Sequence, residues 1–178
     1  MDRVADGTNL ILRSATVEDA DAIAAIYAPY VRDTAISFET EPPEPREMRA
    51  RIESTLVAHP YLVAEREGSV IGYAYSGAFH RRAAYRTTVE VSAYVADDAR
   101  GTGAGRTLYE ALLGELRRRG FHAAIGVIAL PNEPSVALHE RFGFRHVGTL
   151  REVGAKFGSW HDVGWWQLRL NADGPPGG

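Results

Sequence analysis

Apolar residues recur along this chain with two rhythms, one helical and one of strict alternation, and the rhythms take turns. Leu10-Ile11-Leu12 is a short apolar run closed by Arg13 and predicts a first strand. Thr16 is placed to cap a helix beginning Val17-Glu18-Asp19, whose acids suit the positive end of a helix dipole. Ala20, Ile23, Ala24, Ile26, Tyr27 and Tyr30 then keep helical spacing, and Met48, Ile52 and Leu56 mark a second helix near 45–58. Tyr61–Glu65 and Val70–Ser76 flank Arg66-Glu67-Gly68-Ser69 and read as a hairpin. Thr88–Val95 alternates: Val89, Val91, Ala93 and Val95 share one face, Thr88, Glu90, Ser92 and Tyr94 the other. A helix from about Gly103 to Arg119 carries Leu108, Leu112 and Leu116 along one side, with Gly120 as its stop. Ala123–Ala129 is an apolar strand, Pro134–Phe142 a short helix with proline near its first position, and Phe144–Gly154 and His161–Leu170 two closing strands. The order β-α-α-β-β-β-α-β-α-β-β predicts a mixed sheet with helices on it, an α/β or α+β domain.

At 178 residues the chain is of a size for one domain, placed at about 10–170, with polar or Gly/Pro-rich flexible termini at 1–9 and 171–178. Cysteine is absent, which excludes disulfides, thiolate metal sites and a cysteinyl intermediate. The net charge of -3 argues against a dedicated nucleic-acid binder. Met1–Asp6 has no apolar leader and no window approaches a membrane span, so the expectation is a soluble, cytoplasmic protein without membrane partners.

The most informative stretch is Arg100-Gly101-Thr102-Gly103-Ala104-Gly105-Arg106, between a predicted strand and a predicted helix. Its glycines tolerate positive φ, and amides at the mouth of a helix lack intrahelical partners, so they form an anion cradle. Arg100 and Arg106 add charge, and the expected ligand is a phosphate or pyrophosphate; the bland alternative is a flexible turn. The segment lacks the Gly-Lys-Ser/Thr of a P-loop, and its glycine spacing is wrong for a dinucleotide fingerprint.

The pattern R-x-x-G-x-G resembles the pyrophosphate-binding signature of the GNAT superfamily of acyl-CoA-dependent N-acetyltransferases. The strand Thr88–Val95 and the downstream Asn132, short helix and Gly143-Phe144 are similar to that superfamily in order and spacing, over about 10–170. Six pieces resemble its phosphinothricin and methionine sulfoximine/sulfone branch: Ser37–Pro42, Arg82–Tyr85, Thr88–Glu90, Leu130–Asn132, Leu138–Glu140 and Gly158–Gln167. Arg86-Thr87 departs, standing where that branch often has Asp-Trp. The resemblance implies a GNAT-like, mostly antiparallel mixed sheet of about six to seven strands flanked by about four helices. It also implies acetyl-CoA as acetyl donor, a small-molecule amine acceptor, and a homodimer.

Transfer to an amine needs a base to free the nitrogen lone pair. Glu90 is the only acid in its strand and matches the branch's proposed base; the alternative is an exposed glutamate paired with a basic neighbour. His139 stands where many of these enzymes place a general acid; the alternative is a surface histidine on a helix whose buried side holds Leu138 and Phe142. By the same resemblance, the backbone near Ala93, Tyr94 and Val95 holds the pantetheine arm and polarises the acetyl carbonyl. Residues Arg100, Gly101, Thr102, Gly103, Ala104, Gly105 and Arg106 take the pyrophosphate, and Asn132 and Ser135 complete the cofactor contacts, Asn132 being equally a helix cap. Arg82 is the expected carboxylate clamp, with Ala83 and Ala84 beside it and Phe38 and Tyr85 as walls; each of these has a solvated or core alternative. No metal is expected, because His139-Glu140 is followed by Gly143 and not by a second histidine. Two rivals stay open: acetylation of another amine, such as a polyamine or a protein N-terminus, and a non-catalytic acyl-CoA-binding module.

Overall fold

A computed structural model describes residues 3–5, 10–172 and 174. The strands are β1 (Arg3–Ala5), β2 (Leu10–Ser14), β3 (Tyr61–Arg66), β4 (Ser69–Ala78), β5 (Thr88–Val95), β6 (Ala123–Ala129), β7 (Arg145–Lys156) and β8 (Ser159–Arg169). The helices are α1 (Ala20–Asp33), α2 (Pro45–Leu56), α3 (Ala104–Arg118) and α4 (Glu133–Arg141). From Leu10 onward the element order is the expected one, in seven strands and four helices. β1 makes an eighth strand, because Arg3–Ala5, assigned to a flexible terminus, pairs antiparallel with Leu10–Leu12. The remainder of that N-terminal stretch, Asp173 and residues 175–178 lie outside the described residues.

Strand order is β1-β2-β3-β4-β5-β6-β8-β7, and every neighbouring pair is antiparallel except β5–β6. A parallel pair needs a crossover, and α3 supplies it. The β3–β4 turn places Glu67 and Gly68 at φ 53° and 79°, a two-residue reversal that suits the strand twist. Phe157 and Gly158 (φ 52° and 72°) do the same for β7–β8, so this hairpin runs past the break expected between Gly154 and His161.

The two faces of the sheet bury different chemistry. Leu108, Leu112 and Leu116 of α3, all 0% exposed, pack on Ala64, Ala74, Val89 and Val91. Burying each such leucine stabilises the fold by about 1.5–3 kcal/mol. On the opposite face, Ile23, Tyr27, Tyr30 and Val31 of α1 and Met48 and Ile52 of α2 cover Tyr61, Val63 and Tyr73. Asp19 ties this layer down: its carboxylate accepts from the Thr16 N–H at 2.7 Å and takes both terminal nitrogens of Arg13. No helix among the described residues is long and apolar enough to cross a membrane.

Candidate active site

The site grows from the one parallel pair among the described strands. β5 and β6 are in register only at Thr88↔Ala123, Val89↔Ala124 and Glu90↔Ile125, after which they diverge. Beyond Glu90, β5 is paired on one edge only, with β4, and its other edge faces the gap. The Tyr30 hydroxyl donates to the Val95 carbonyl at 2.7 Å and lies 3.4 Å from the Val95 nitrogen, so the Val95 main chain points away from β4. Alternation along a strand puts the peptide groups of Ala93 on that same edge. Tyr30, which its spacing marks as a core residue, is therefore also a site residue; nothing local in the sequence announces that contact.

At the C-terminal end of β5 the chain turns through a short 3-10 segment, Asp97–Ala99, into the glycine loop. Gly101 and Gly103 have φ of 75° and 90°, and Gly103 is the N-cap of α3. A Cβ at either would meet open space, so backbone conformation and not crowding calls for glycine here. No side chain caps α3. The Thr102 hydroxyl donates instead to Ala99 O at 2.7 Å, leaving the first amides of a fifteen-residue helix open to an anion. Ala104 is buried and Gly105 packs near Val95, so the cradle is seated on the strand. Arg100 pairs with Asp97 at 2.7 Å and lies over the Tyr30 ring at 5.0 Å, while Arg106 is exposed on the first turn of α3.

Glu90 faces α1 and α2, since it is in register with Gly77 beside the Tyr75–Ser92 and Tyr73–Tyr94 pairs. Solvent reaches it, yet the surrounding protein strips enough water from the carboxylate to raise its pKa above the ordinary value. Among the described residues it has neither an ion pair nor a side-chain hydrogen bond, which removes the reading as a glutamate paired with a basic neighbour. Its charge is felt by Tyr75, a wall of a cavity of about 210 Å³ that Tyr27, Met48, Arg51, Tyr61 and Tyr73 also line.

His139 is on the other face. It is 6% exposed, so the reading as a surface histidine is corrected. Gly126, the first β6 residue beyond the last β5–β6 pair, leaves the room its ring occupies; a Cβ there would overlap the imidazole. Tyr109 and Phe144 pack against the ring at 5.1 and 5.0 Å. Nδ1 lies 2.7 Å from Ser135 O. A carbonyl only accepts, so Nδ1 carries the proton; burial lowers the pKa and keeps the ring neutral, leaving Nε2 a lone pair and no partner among the described residues. Asn132 caps α4, its Oδ1 accepting from Ser135 N at 3.3 Å.

The acceptor candidates sit on two loops. Arg82, Ala83, Ala84 and Tyr85 are exposed in the β4–β5 connection, where 83–85 form a 3-10 turn. Tyr85 packs on Phe79, and Phe79 on Trp165 of β8. Phe38, in the α1–α2 loop, packs against His161 of β8 at 6.0 Å and over Gly154 of β7. Trp165 and His161 share the face of Glu90, because Val127↔Trp165 and Glu90↔Ile125 keep the same parity. The structure thus brings Phe38, Tyr85 and Glu90 to one face around β8, and puts Glu90 and His139 on opposite sides of the β5–β6 divergence. Among the described residues no group of three or more His, Asp or Glu could hold a metal ion.

The Acetyltransferase (GNAT) domain model matches residues 12–165. The chain is 43% identical over 165 residues to phosphinothricin N-acetyltransferase of Streptomyces viridochromogenes, covering 93% of this chain and 90% of that protein. It is 37% identical over 162 residues to L-methionine sulfoximine/L-methionine sulfone acetyltransferase of Pseudomonas aeruginosa, covering 90% and 94%. A phosphinothricin acetyltransferase from Sinorhizobium meliloti, solved in complex with AcCoA, superposes with a TM-score of 0.90 at 38% identity, covering 95% of this chain and 94% of that one.

Proposed function

The chain belongs to the GNAT acetyltransferase family, and from that premise we propose that it moves acetyl from acetyl-CoA directly to the α-amino group of a small amino-acid-like acceptor of the phosphinothricin or methionine sulfoximine/sulfone type. The diphosphate sits on the glycine loop and first turn of α3, Gly101–Arg106, where the helix-mouth amides are open although the Thr102 N–H leans on Ala99 O. Pantetheine follows the edge of β5 that β6 leaves open, along Ala93, Tyr94 and Val95 beside Asn132 and Ser135. The Tyr30 hydroxyl already holds the Val95 main chain, so the Ala93 peptide is the one open to the arm. From Val95 back to Glu90 is about 17 Å at ~3.3 Å per residue, the reach of an extended arm. The acetyl group then lies beside Glu90, with Arg82 on the acceptor's carboxylate and Phe38, Ala83, Ala84 and Tyr85 around its side chain.

The carboxylate of Glu90 takes the ammonium proton. The freed nitrogen forms a C–N bond to the thioester carbon; as the C–S bond breaks, that nitrogen gives up its second proton, which passes to the departing sulfur, so coenzyme A leaves as the thiol and the nitrogen becomes a neutral amide. Oriented strand amides stabilise the oxyanion that develops on the carbonyl. His139 lies on the other face with Nε2 buried against Gly126; neutral and able there only to accept a hydrogen bond, it shapes the wall of the gap and is not the first source of a proton.

The observation that carries this reading is an unpartnered carboxylate of raised pKa where the parallel strand pair opens. Thiol release from acetyl-CoA should be fast with phosphinothricin, methionine sulfoximine or methionine sulfone and slow with spermidine or a peptide. The reverse order would transfer the enzyme to another amine class, and no release with any amine would leave a binding module. Residues 10–170 act as one catalytic domain in the cytoplasm. Exposed Phe157 (62%) and Trp160 (66%) on the β7–β8 hairpin support a homodimer, checked by sedimentation at micromolar protein.

A further inference from the structure

Lys156 is the one lysine in a chain whose other permanent cations are all arginine. It is also buried, at 8% exposed. It ends β7, and its Nζ donates at 2.6 Å to the carbonyls of both Val31 and Ser37, more than a hundred residues away in sequence. No carboxylate forms an ion pair with it among the described residues, though Glu39 in the same loop as Ser37 is near enough for the two charges to favour one another, and Nζ also lies over the Phe157 ring at 5.0 Å. Its direct bonds are to carbonyls and not to a carboxylate. A compact ammonium with three donors converges here on one carbonyl of α1 and one of the loop that follows; a guanidinium is larger, planar and fixed in its fork, so arginine does not fit the same buried point without displacing those carbonyls.

What those carbonyls belong to gives the contact its meaning. Val31 is in the last turns of α1, and Ser37 precedes Phe38 in the α1–α2 loop. The same loop is held from its other side: the Tyr27 hydroxyl lies 2.7 Å from Ser37 Oγ and donates to Glu39 at 2.9 Å, and Arg51 grips the Glu39 carboxylate at 2.8 and 2.9 Å. Two residues before Lys156, Gly154 has no side chain, and the Phe38 ring fills the place a Cβ would take. Ser37–Pro42 and Gly158–Gln167, two of the resemblance pieces, are thereby joined through a residue belonging to neither.

We infer that Lys156 is a positioning residue for the acceptor: it clasps the α1–α2 loop to the β7–β8 hairpin and so fixes Phe38 against Gly154 on the face that Glu90 serves. This rests on the acceptor reading proposed above, but the clasp is testable apart from it. Lys156 lies far along the sheet from the glycine loop, so cofactor affinity is not its business.

The experiment compares the full chain with Lys156→Met and Lys156→Arg, each saturated with acetyl-CoA. Amide hydrogen exchange over 34–40 should quicken in both variants, while the α3 amides keep their protection. With methionine sulfone as the probe, KM should rise about tenfold in both, with kcat changed less and acetyl-CoA affinity within about twofold. Restoration by arginine would make the role one of charge and overturn the inference. So would unchanged exchange over 34–40, an unchanged acceptor KM, or an equal loss for both substrates. If the unmodified enzyme releases no thiol with methionine sulfone or phosphinothricin, the amino-acid acceptor falls while exchange still decides the clasp.

Discussion

The two faces of this sheet differ in what they bury against the strands. Under α3 the core is mainly aliphatic, leucines, valines and alanines that close on one another, with Tyr109, Phe144 and Trp166 gathered at its α4 end. Under α1 and α2 it is phenolic, with Tyr27, Tyr30, Tyr61, Tyr73, Tyr75 and Tyr94 in contact. Rings of that shape bury large areas but leave hydroxyls to satisfy, and the layer stays hollow enough for a cavity of about 210 Å³. Burial lifts the phenols of Tyr73 and Tyr94 well above their ordinary pKa, so they are neutral walls and not ionised groups. In the proposed mechanism the titrating work falls to Glu90, set on the phenolic face with no cation paired to it among the described residues. On the same reading the α3 face holds the fold together and the phenolic face carries the reaction; His139, though ionisable, is packed into the first.

The sharpest way to break that contrast is Glu90→Gln. Loss of a general base should lower kcat by about 10²–10⁴ with acetyl-CoA affinity unchanged. In the unmodified enzyme the rate should fall as pH drops through the raised Glu90 pKa, placing the acid limb above the usual glutamate range, and the variant should lack that limb. The stability sign is opposite. A raised folded-state pKa gives a contribution to folding that is present below the unfolded value and gone once pH passes the folded one. Glutamine should therefore be no less stable than glutamate at neutral pH, measured by denaturant unfolding.

Smaller effects sharpen the same contrast. Arg82→Ala should raise acceptor KM roughly 10–100-fold, the range for a charged hydrogen-bonding group worth about 1.5–3 kcal/mol, and leave acetyl-CoA KM alone. Gly126→Ala drives a methyl into the His139 ring and should destabilise by about 1–3 kcal/mol, seen as a lower melting temperature. His139→Gln should lower kcat less than about tenfold; a loss equal to that of Glu90→Gln would give both faces a share of the chemistry.

Much of this is legible in the sequence. The alternation in Thr88–Val95 puts Glu90 on the face away from the valines, and that is where it stands. Gly101 and Gly103 announce a turn of positive φ, because little else accepts that backbone. Periodicity cannot place His139: α4 spacing turns Leu138 and Phe142 inward, and the room for the imidazole comes from Gly126 on another element. Nor can it find the Lys156 contact, which joins segments more than a hundred residues apart. Local pattern reports which way a side chain points, but not what a distant segment has left open for it.

In the proposed mechanism, cofactor recognition depends on the amides at the mouth of α3 holding the diphosphate. Calorimetric titration of coenzyme A against pantetheine, which lacks the diphosphate, tests this directly. Saturable binding of coenzyme A, at least about tenfold tighter than pantetheine and weakened by Gly103→Ala, is the predicted result. Equal affinity for the two, or no saturation by coenzyme A, would contradict it.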